Sequence, residues 1–242
     1  MKLTRRELLT DLAVSGIMPA AENSGEPKIR VVVAGGHPGD PEAACGGTMA
    51  RLADAGHTVI ALYATRGEMG IKGKSPEEAA AIRTREAEKA CANLKVRASF
   101  ANQIDADTKI TPARYEEFRR LLEAEKPGAV FTHWPLDTHR DHRGCALLVY
   151  DAWLAMGKTF ALYFFEVSTG AETQHFRPTR YVDITAVEQR KRVACFAHDS
   201  QNPSAFYAEH EAMQRFRGLE AGCRFAEAFI HHEQSPSTGL LF

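Results

Sequence analysis

Long apolar runs, paired cysteines and an excess of either charge are all missing from this chain. No stretch of the sequence is long and apolar enough to span a bilayer, so a stable membrane span is not expected. The five cysteines, Cys45, Cys91, Cys145, Cys195 and Cys223, are scattered, odd in number and free of any CxxC pair. Neither a disulfide framework nor a thiolate zinc site is indicated, and they read as free thiols. With 30 Lys and Arg against 31 Asp and Glu, there is no basic footprint for a nucleic acid or a membrane surface. Internal repeats and low-complexity segments are absent, and the Gly35-Gly36-His37 turn lacks the GxGxxG fingerprint of a dinucleotide site.

What is present suits one globular unit with a proper core: 242 residues, 44% hydrophobic and 25% charged. At the start, Arg5 and Arg6 precede a modest apolar stretch from Leu12 to Ala21, which resembles a twin-arginine signal although Asp11 interrupts it. Residues 1–27 are therefore expected to be a signal-like segment and linker, and residues 28–242 the functional domain. The protein is expected to be exported, periplasmic or extracellular; an amphipathic N-terminal helix on a cytoplasmic protein is the alternative.

The run from Ile29 to Ala34 is β-branched and apolar, as a buried parallel strand requires. Similar runs recur at Thr58 to Ala64, Ala98 to Ala101, Ala129 to His133 and Leu162 to Val167, with a weaker one at Arg180 to Ile184. Helical spacing falls between them, at Gly47 to Gly56, Pro76 to Leu94 and Pro112 to Glu125, and again at Pro203 to Gly222. Alternation of this kind predicts an α/β fold: a Rossmann-like, doubly wound, mostly parallel sheet with helices on both faces. Ligands bind such sheets beyond the carboxyl ends of the strands.

Two segments at such ends carry the chemistry: Gly36-His-Pro-Gly-Asp-Pro-Glu42 and His133-Trp-Pro-Leu-Asp-Thr-His-Arg-Asp-His142. A catalytic zinc site takes about three protein ligands from His and carboxylate and leaves a position for water. His37, Asp40 and His142 supply such a set, although spacing alone leaves them readable as hydrogen-bonding loop residues. If His139 and His142 share the first turn of a helix, one ligates while the other meets substrate, and Asp141 is placed to fix the tautomer of His139. Trp134 reads as a packed strand-end aromatic and His133 as a lining residue of the same loop. The adjacent His231 and His232 point different ways and read poorly as ligands.

The same segments resemble the LmbE-like (PIG-L) family of N-acetylsugar deacetylases, whose usual signature is His-Pro-Asp-Asp-x-Glu, then Gly-Gly-Thr, then His-x-Asp-His. Here these read His37-Pro-Gly-Asp-Pro-Glu42, Gly46-Gly-Thr48 and His139-Arg-Asp-His142. Thr65-Arg-Gly-Glu68, Arg85-Glu86, Val182-Asp-Ile-Thr185, Ser200-Gln201 and Ala226-Glu-Ala-Phe229 extend the likeness over nearly everything after residue 28. The resemblance implies a zinc-dependent hydrolase of the N-acetyl, or similar N-acyl, group of an amino sugar such as N-acetylglucosamine or of a glycoconjugate. It implies zinc on His37, Asp40 and His142, a catalytic His139 that stabilises or protonates the reacting amide, and substrate contacts from Arg66 and Asp105.

One departure stands out. The first aspartate of the family's pair, its usual general base, is Gly39 here. Glu42, Asp137 and Asp141 are the candidate replacements, and Gly39→Asp is expected to raise turnover if none of them serves. The alternative function is a zinc-containing sugar-binding protein with weak or no turnover. A homo-oligomer is compatible with the sequence, which does not specify it.

Overall fold

The computed structural model describes residues 27–240, and the signal-like segment expected at residues 1–27 lies almost wholly outside them. Seven strands form one sheet: β1 (Arg30–Gly35), β2 (Thr58–Thr65), β3 (Arg97–Gln103), β4 (Ala129–His133), β5 (Ala161–Phe165), β6 (Arg180–Asp183) and β7 (Ala226–His231). Their order is β3-β2-β1-β4-β5-β7-β6. Strands β3, β2, β1, β4 and β5 run parallel, while β7 pairs antiparallel with both β5 and β6. The expected doubly wound sheet is thus present, with an antiparallel edge.

Both faces of the sheet are covered, which is why β1 is apolar without alternation. Val31 and Val33 join one core, shared with helices α1 (Asp40–Asp54) and α2 (Pro76–Leu94). Val32 and Ala34 join the other, shared with α3 (Pro112–Glu125) and α4 (Arg140–Ala155). Helices α5 (Glu188–Cys195) and α6 (Pro203–Ala221) complete the chain. No described helix is long and apolar enough to cross a membrane. All five cysteines are free, four of them buried.

Local chemistry sets the helix ends. Ser75 accepts from the Glu78 amide at 3.2 Å while Glu78 accepts from the Ser75 amide at 3.0 Å, a reciprocal cap on α2. Thr111 caps α3 in the simpler one-sided way.

Three elements differ from expectation. Helix α1 starts at Asp40, not Gly47, because Gly46 and Gly47 serve close packing, not chain breaking: a Cβ on Gly47 would lie 2.5 Å from Ile184. Strand β7 and helix α5 were not anticipated. In β7 the buried Glu227 interrupts the apolar pattern, and its carboxylate accepts from the Gly47 and Thr48 amides and the Lys191 ammonium at 2.6–2.8 Å.

The winding places the site. Strand β1 lies between β2 and β4, so the connections leaving it diverge to either side, and a crevice opens at the carboxyl ends of β1 and β4. The His37 to Asp40 loop follows β1, and His133 ends β4.

Candidate metal centre

Asp40, the first residue of α1, is the vertex of the site. Its Oδ2 lies 3.2 Å from His37 Nδ1 and 3.3 Å from His142 Nε2. Ligand atoms around a tetrahedral zinc are about 3.3 Å apart, given bonds near ~2.0–2.1 Å. The far nitrogen of each ring is held by carboxylates: His37 Nε2 lies 3.2 Å from both Asp105 and Asp141, and His142 Nδ1 lies 3.2 Å from Asp137. A metal-binding imidazole characteristically donates its other N–H to such a group, which fixes the tautomer and turns the free lone pair to the ion.

Among the described residues, His37, His139 and His142 bring ligand atoms within 4.8 Å of one another, as do Asp40, His133 and His142. Gly36 packs closely beside them, since a Cβ there would lie 3.1 Å from His142 and 3.2 Å from Asp40, tighter than ordinary contact. The donor set, its carboxylate supports and the bare backbone at Gly36 together fit a divalent cation.

Electrostatics agree. Burial alone pulls an imidazolium down, but the Asp40, Asp105 and Asp141 carboxylates outweigh it and hold His37 well above its ordinary value. His142 is likewise buried, yet Asp40 and Asp137 raise it to about 9. Burial opposes ionisation of Asp40 too, and His142 and His37 reverse that, so its carboxyl stays well below the usual range. The pocket favours positive charge at its centre.

His139 caps α4, its Nδ1 accepting the Asp141 amide at 3.3 Å, and lines the cavity. Burial and the neighbouring His37 and His142 lower its pKa, and because Nδ1 accepts the Asp141 amide, Nε2 is the donor of the neutral ring. The Asp141 carboxylate does not hold His139. Fully buried, it takes His37 Nε2 and the Ala106 amide at 2.7 Å, because the first turn of α4 points it at the loop after β3. Asp105 does line the cavity, with one oxygen on His37 and the other accepting the Met69 amide at 3.1 Å.

Arg66 is placed differently from expectation. Its guanidinium lies 4.3 Å from the Phe100 ring centroid and donates to Thr84 and Asn102, and it is not among the cavity-lining residues. Its motif neighbour Glu68 accepts the Asp105 amide at 3.1 Å, so this segment braces the loop that supports His37. Trp134 packs on Phe164 and Phe176 as expected. His231 lies against Tyr163 and His232 against Trp153, away from the centre.

The three proposed substitutes for an acid at position 39 are all engaged. Glu42 is fully buried and accepts from Gly39 N and from Tyr63. Asp137 accepts from the His139 amide and from Thr173, and Asp141 is held as described. Glu172, which sequence reasoning missed, is the cavity-lining carboxylate without a hydrogen bond, 3.8 Å from His142 Nδ1. It sits on the loop after β5, and no local motif marks it.

Gly39 itself has φ 110° and ψ −33°, a conformation that side chains avoid. Space is not the obstacle, since a Cβ would meet His198 at 3.9 Å. Gly39→Asp is therefore expected to lower stability by about 1–3 kcal/mol through backbone strain and not to raise turnover. Thermal melts and rates on the parent and variant decide this; an unchanged melting temperature with faster turnover would show that the loop adapts.

The cavity over the site has a volume of about 520 Å³ and extends past His198, Gln201 and Phe206 to His210. His210 is 3% exposed, and burial, reinforced by the Lys191 ammonium and only partly opposed by Asp40, lowers its pKa to about 4. The unfolded chain takes that proton near pH ~6.5, so between these values the unfolded state binds more protons and stability falls as pH falls. The loss reaches about 3 kcal/mol at most. Denaturant titrations near neutral pH and near the lower value should show a smaller acid loss in His210→Gln; an equal loss would place the acid sensitivity elsewhere.

Known proteins similar to this chain share its fold. Diacetylchitobiose deacetylase of Thermococcus kodakarensis is 29% identical over 209 residues, spanning 79% of this chain and 78% of its own. The structure of N,N'-diacetylchitobiose deacetylase from Pyrococcus horikoshii, complexed with its inhibitor MPG, superposes with a TM-score of 0.75 at 26% identity, over 87% of this chain and 88% of that one. The conserved protein TT1542 from Thermus thermophilus does so with a TM-score of 0.75 at 28% identity, over 87% and 97%. The family model described as PIG-L, GlcNAc-PI de-N-acetylase, matches residues 31–153, from β1 through most of α4, and the chain belongs to that family.

Proposed function

We propose that this protein is a zinc-dependent hydrolase that removes the N-acetyl, or a similar N-acyl, group from an amino sugar or glycoconjugate. The observation that carries the reading is the Asp40 carboxylate oxygen with imidazole nitrogens of His37 and His142 at 3.2 and 3.3 Å, each ring backed by carboxylates, under an open cavity. His37, Asp40 and His142 would hold the zinc. Two deacetylases among its relatives are named for diacetylchitobiose, which supports an acetylated amino sugar as the substrate class.

Zinc bound there supplies Lewis acidity: it polarises an amide carbonyl and lowers the pKa of water towards ~7. The chain's own groups do the rest. His139, with Nδ1 taken by the Asp141 amide, donates a hydrogen bond from Nε2 to the amide oxygen as it gains charge, and the proton that the attacking water gives up is the one delivered to the departing amine as the C–N bond breaks. Asp141 and Asp105 act through His37, and Asp137 through His142, by holding each ring in the tautomer that leaves one lone pair towards Asp40. Glu172 is the carboxylate free to accept a proton within the cavity.

The alternative of a sugar-binding protein without turnover rests on Gly39, and no further observation favours it. Incubation with a panel of N-acetylated amino sugars, with assay of free acetate and free amine, tests the function. Stoichiometric release of both is expected; binding without release would favour the alternative.

A further inference from the structure

Residues 166–179 join β5 to β6 without a helix or strand, and they form one wall of the cavity through Val167, Ser168 and Glu172. With no ladder to join, part of this backbone is paired across to the loop after β4. The Gln174 amide donates to the Leu136 carbonyl at 2.8 Å and the Thr138 amide to the Glu172 carbonyl at 3.0 Å, around an antiparallel bridge that sets Thr173 opposite Asp137.

Both residues of that bridge are buried, Thr173 with 1% exposure. The Thr173 hydroxyl lies 3.0 Å from Asp137 Oδ2 and 2.8 Å from the Val167 carbonyl, and it accepts from the Val167 amide at 2.8 Å. It has one proton to give. The Val167 carbonyl already accepts the Thr173 amide at 3.2 Å, whereas among the described residues nothing else donates to Asp137 Oδ2, and a carboxylate is the stronger acceptor. The proton therefore goes to Asp137. With Oδ2 held in this way, Oδ1 faces the His139 amide at 2.7 Å and His142 Nδ1 at 3.2 Å. A continuous chain, His142 to Asp137 to Thr173, joins the metal centre to the segment that carries Glu172.

Resting on the zinc site proposed above, we infer that Thr173 is a positioning residue for the metal: its hydroxyl aims the Asp137 carboxylate at His142 and ties that ligand to the cavity wall. The contact comes from beyond residues 31–153, the part of the chain that matches the family. Without the hydroxyl, Oδ2 is a buried charged oxygen lacking a donor, a costly arrangement from which the carboxylate escapes by turning, and its hold on the ring slackens.

The test is the zinc affinity of the full chain, measured by competition with a chromophoric chelator, in the parent, Thr173→Val, Thr173→Ser, Asp137→Ala and the Asp137→Ala/Thr173→Val double variant. Thr173→Val, nearly the same in shape, should bind zinc about tenfold more weakly, the lower end of the range for groups that orient a ligand. Thr173→Ser keeps the hydroxyl and should bind as the parent does. Because Thr173→Val also deprives the Val167 amide of its acceptor, a merely loosened wall would weaken zinc binding by the same factor with or without the carboxylate; the inference instead expects Thr173→Val to cost almost nothing further once Asp137 is alanine. Parent-like affinity in Thr173→Val, a Thr173→Ser as weak as Thr173→Val, or an undiminished cost in the Asp137→Ala background overturns the inference while leaving the zinc site standing. A parent that binds no zinc removes the zinc site, and the inference with it.

Discussion

Asp40→Ala is expected to strip the protein of zinc and with it essentially all hydrolysis. A single carboxylate oxygen is the common neighbour of both ligand rings, and the Asp40 Oδ2 also accepts the His37 amide at 2.8 Å, so its removal unfixes the ring as well as deleting a ligand. A site with about three protein ligands cannot spare one. His37→Ala and His142→Ala should each reduce bound metal sharply too. Metal analysis of the folded variants, with folding checked by circular dichroism, reads this out; full zinc occupancy in all three would show that the ligands have been misassigned.

His139→Ala should behave in the opposite way, retaining zinc while losing about two to three orders of magnitude in kcat, the usual range for removing a donor aimed at a developing oxyanion. Its Nδ1 is occupied by the Asp141 amide as the cap of α4, and its neutral ring presents a donor to the cavity without taking part in the contacts around Asp40 Oδ2. KM should change less than kcat, because the group acts on charge that develops during reaction. Since His139 also comes within 4.8 Å of ligand atoms of His37 and His142, the contrary result has a clear meaning: loss of zinc in the variant would make His139 a ligand.

How much of this was legible in the sequence depends on the range over which each feature is encoded. Strands β1, β2, β4 and β5 are marked by continuous apolar runs, and α2 by a capping pattern within four residues, so local periodicity was enough. The two short polar segments that interrupt those runs at strand ends were legible, but joining His37, Asp40 and His142 into one set rested on the family resemblance; the structure brings His37 and His142 to 3.2 and 3.3 Å from Asp40. The direction in which a side chain turns was not legible. Asp141 neighbours His139 in sequence by two residues, yet its carboxylate reaches His37, 104 residues away. Arg66 and Arg83 of α2 carry the same charge near the same loop, and only packing separates them: Arg66 lies over the Phe100 ring, whereas Arg83 lines the cavity. Strand β7 was hidden because Glu227 breaks its apolar pattern, and the partners that allow that charge to be buried lie on α1 and α5. The Gly46-Gly47 pair carried a breaker's composition but the packing role of a close helix contact.

The central claim is that hydrolysis depends on a metal held by His37, Asp40 and His142. Its most direct test is the rate of acetate release from an N-acetylated amino sugar by the same preparation before chelation, after chelation, and after zinc is added back at one equivalent. Loss of activity with the metal and recovery with zinc, absent in Asp40→Ala, is the predicted result; acetate release that continues undiminished in the metal-free protein would contradict the account.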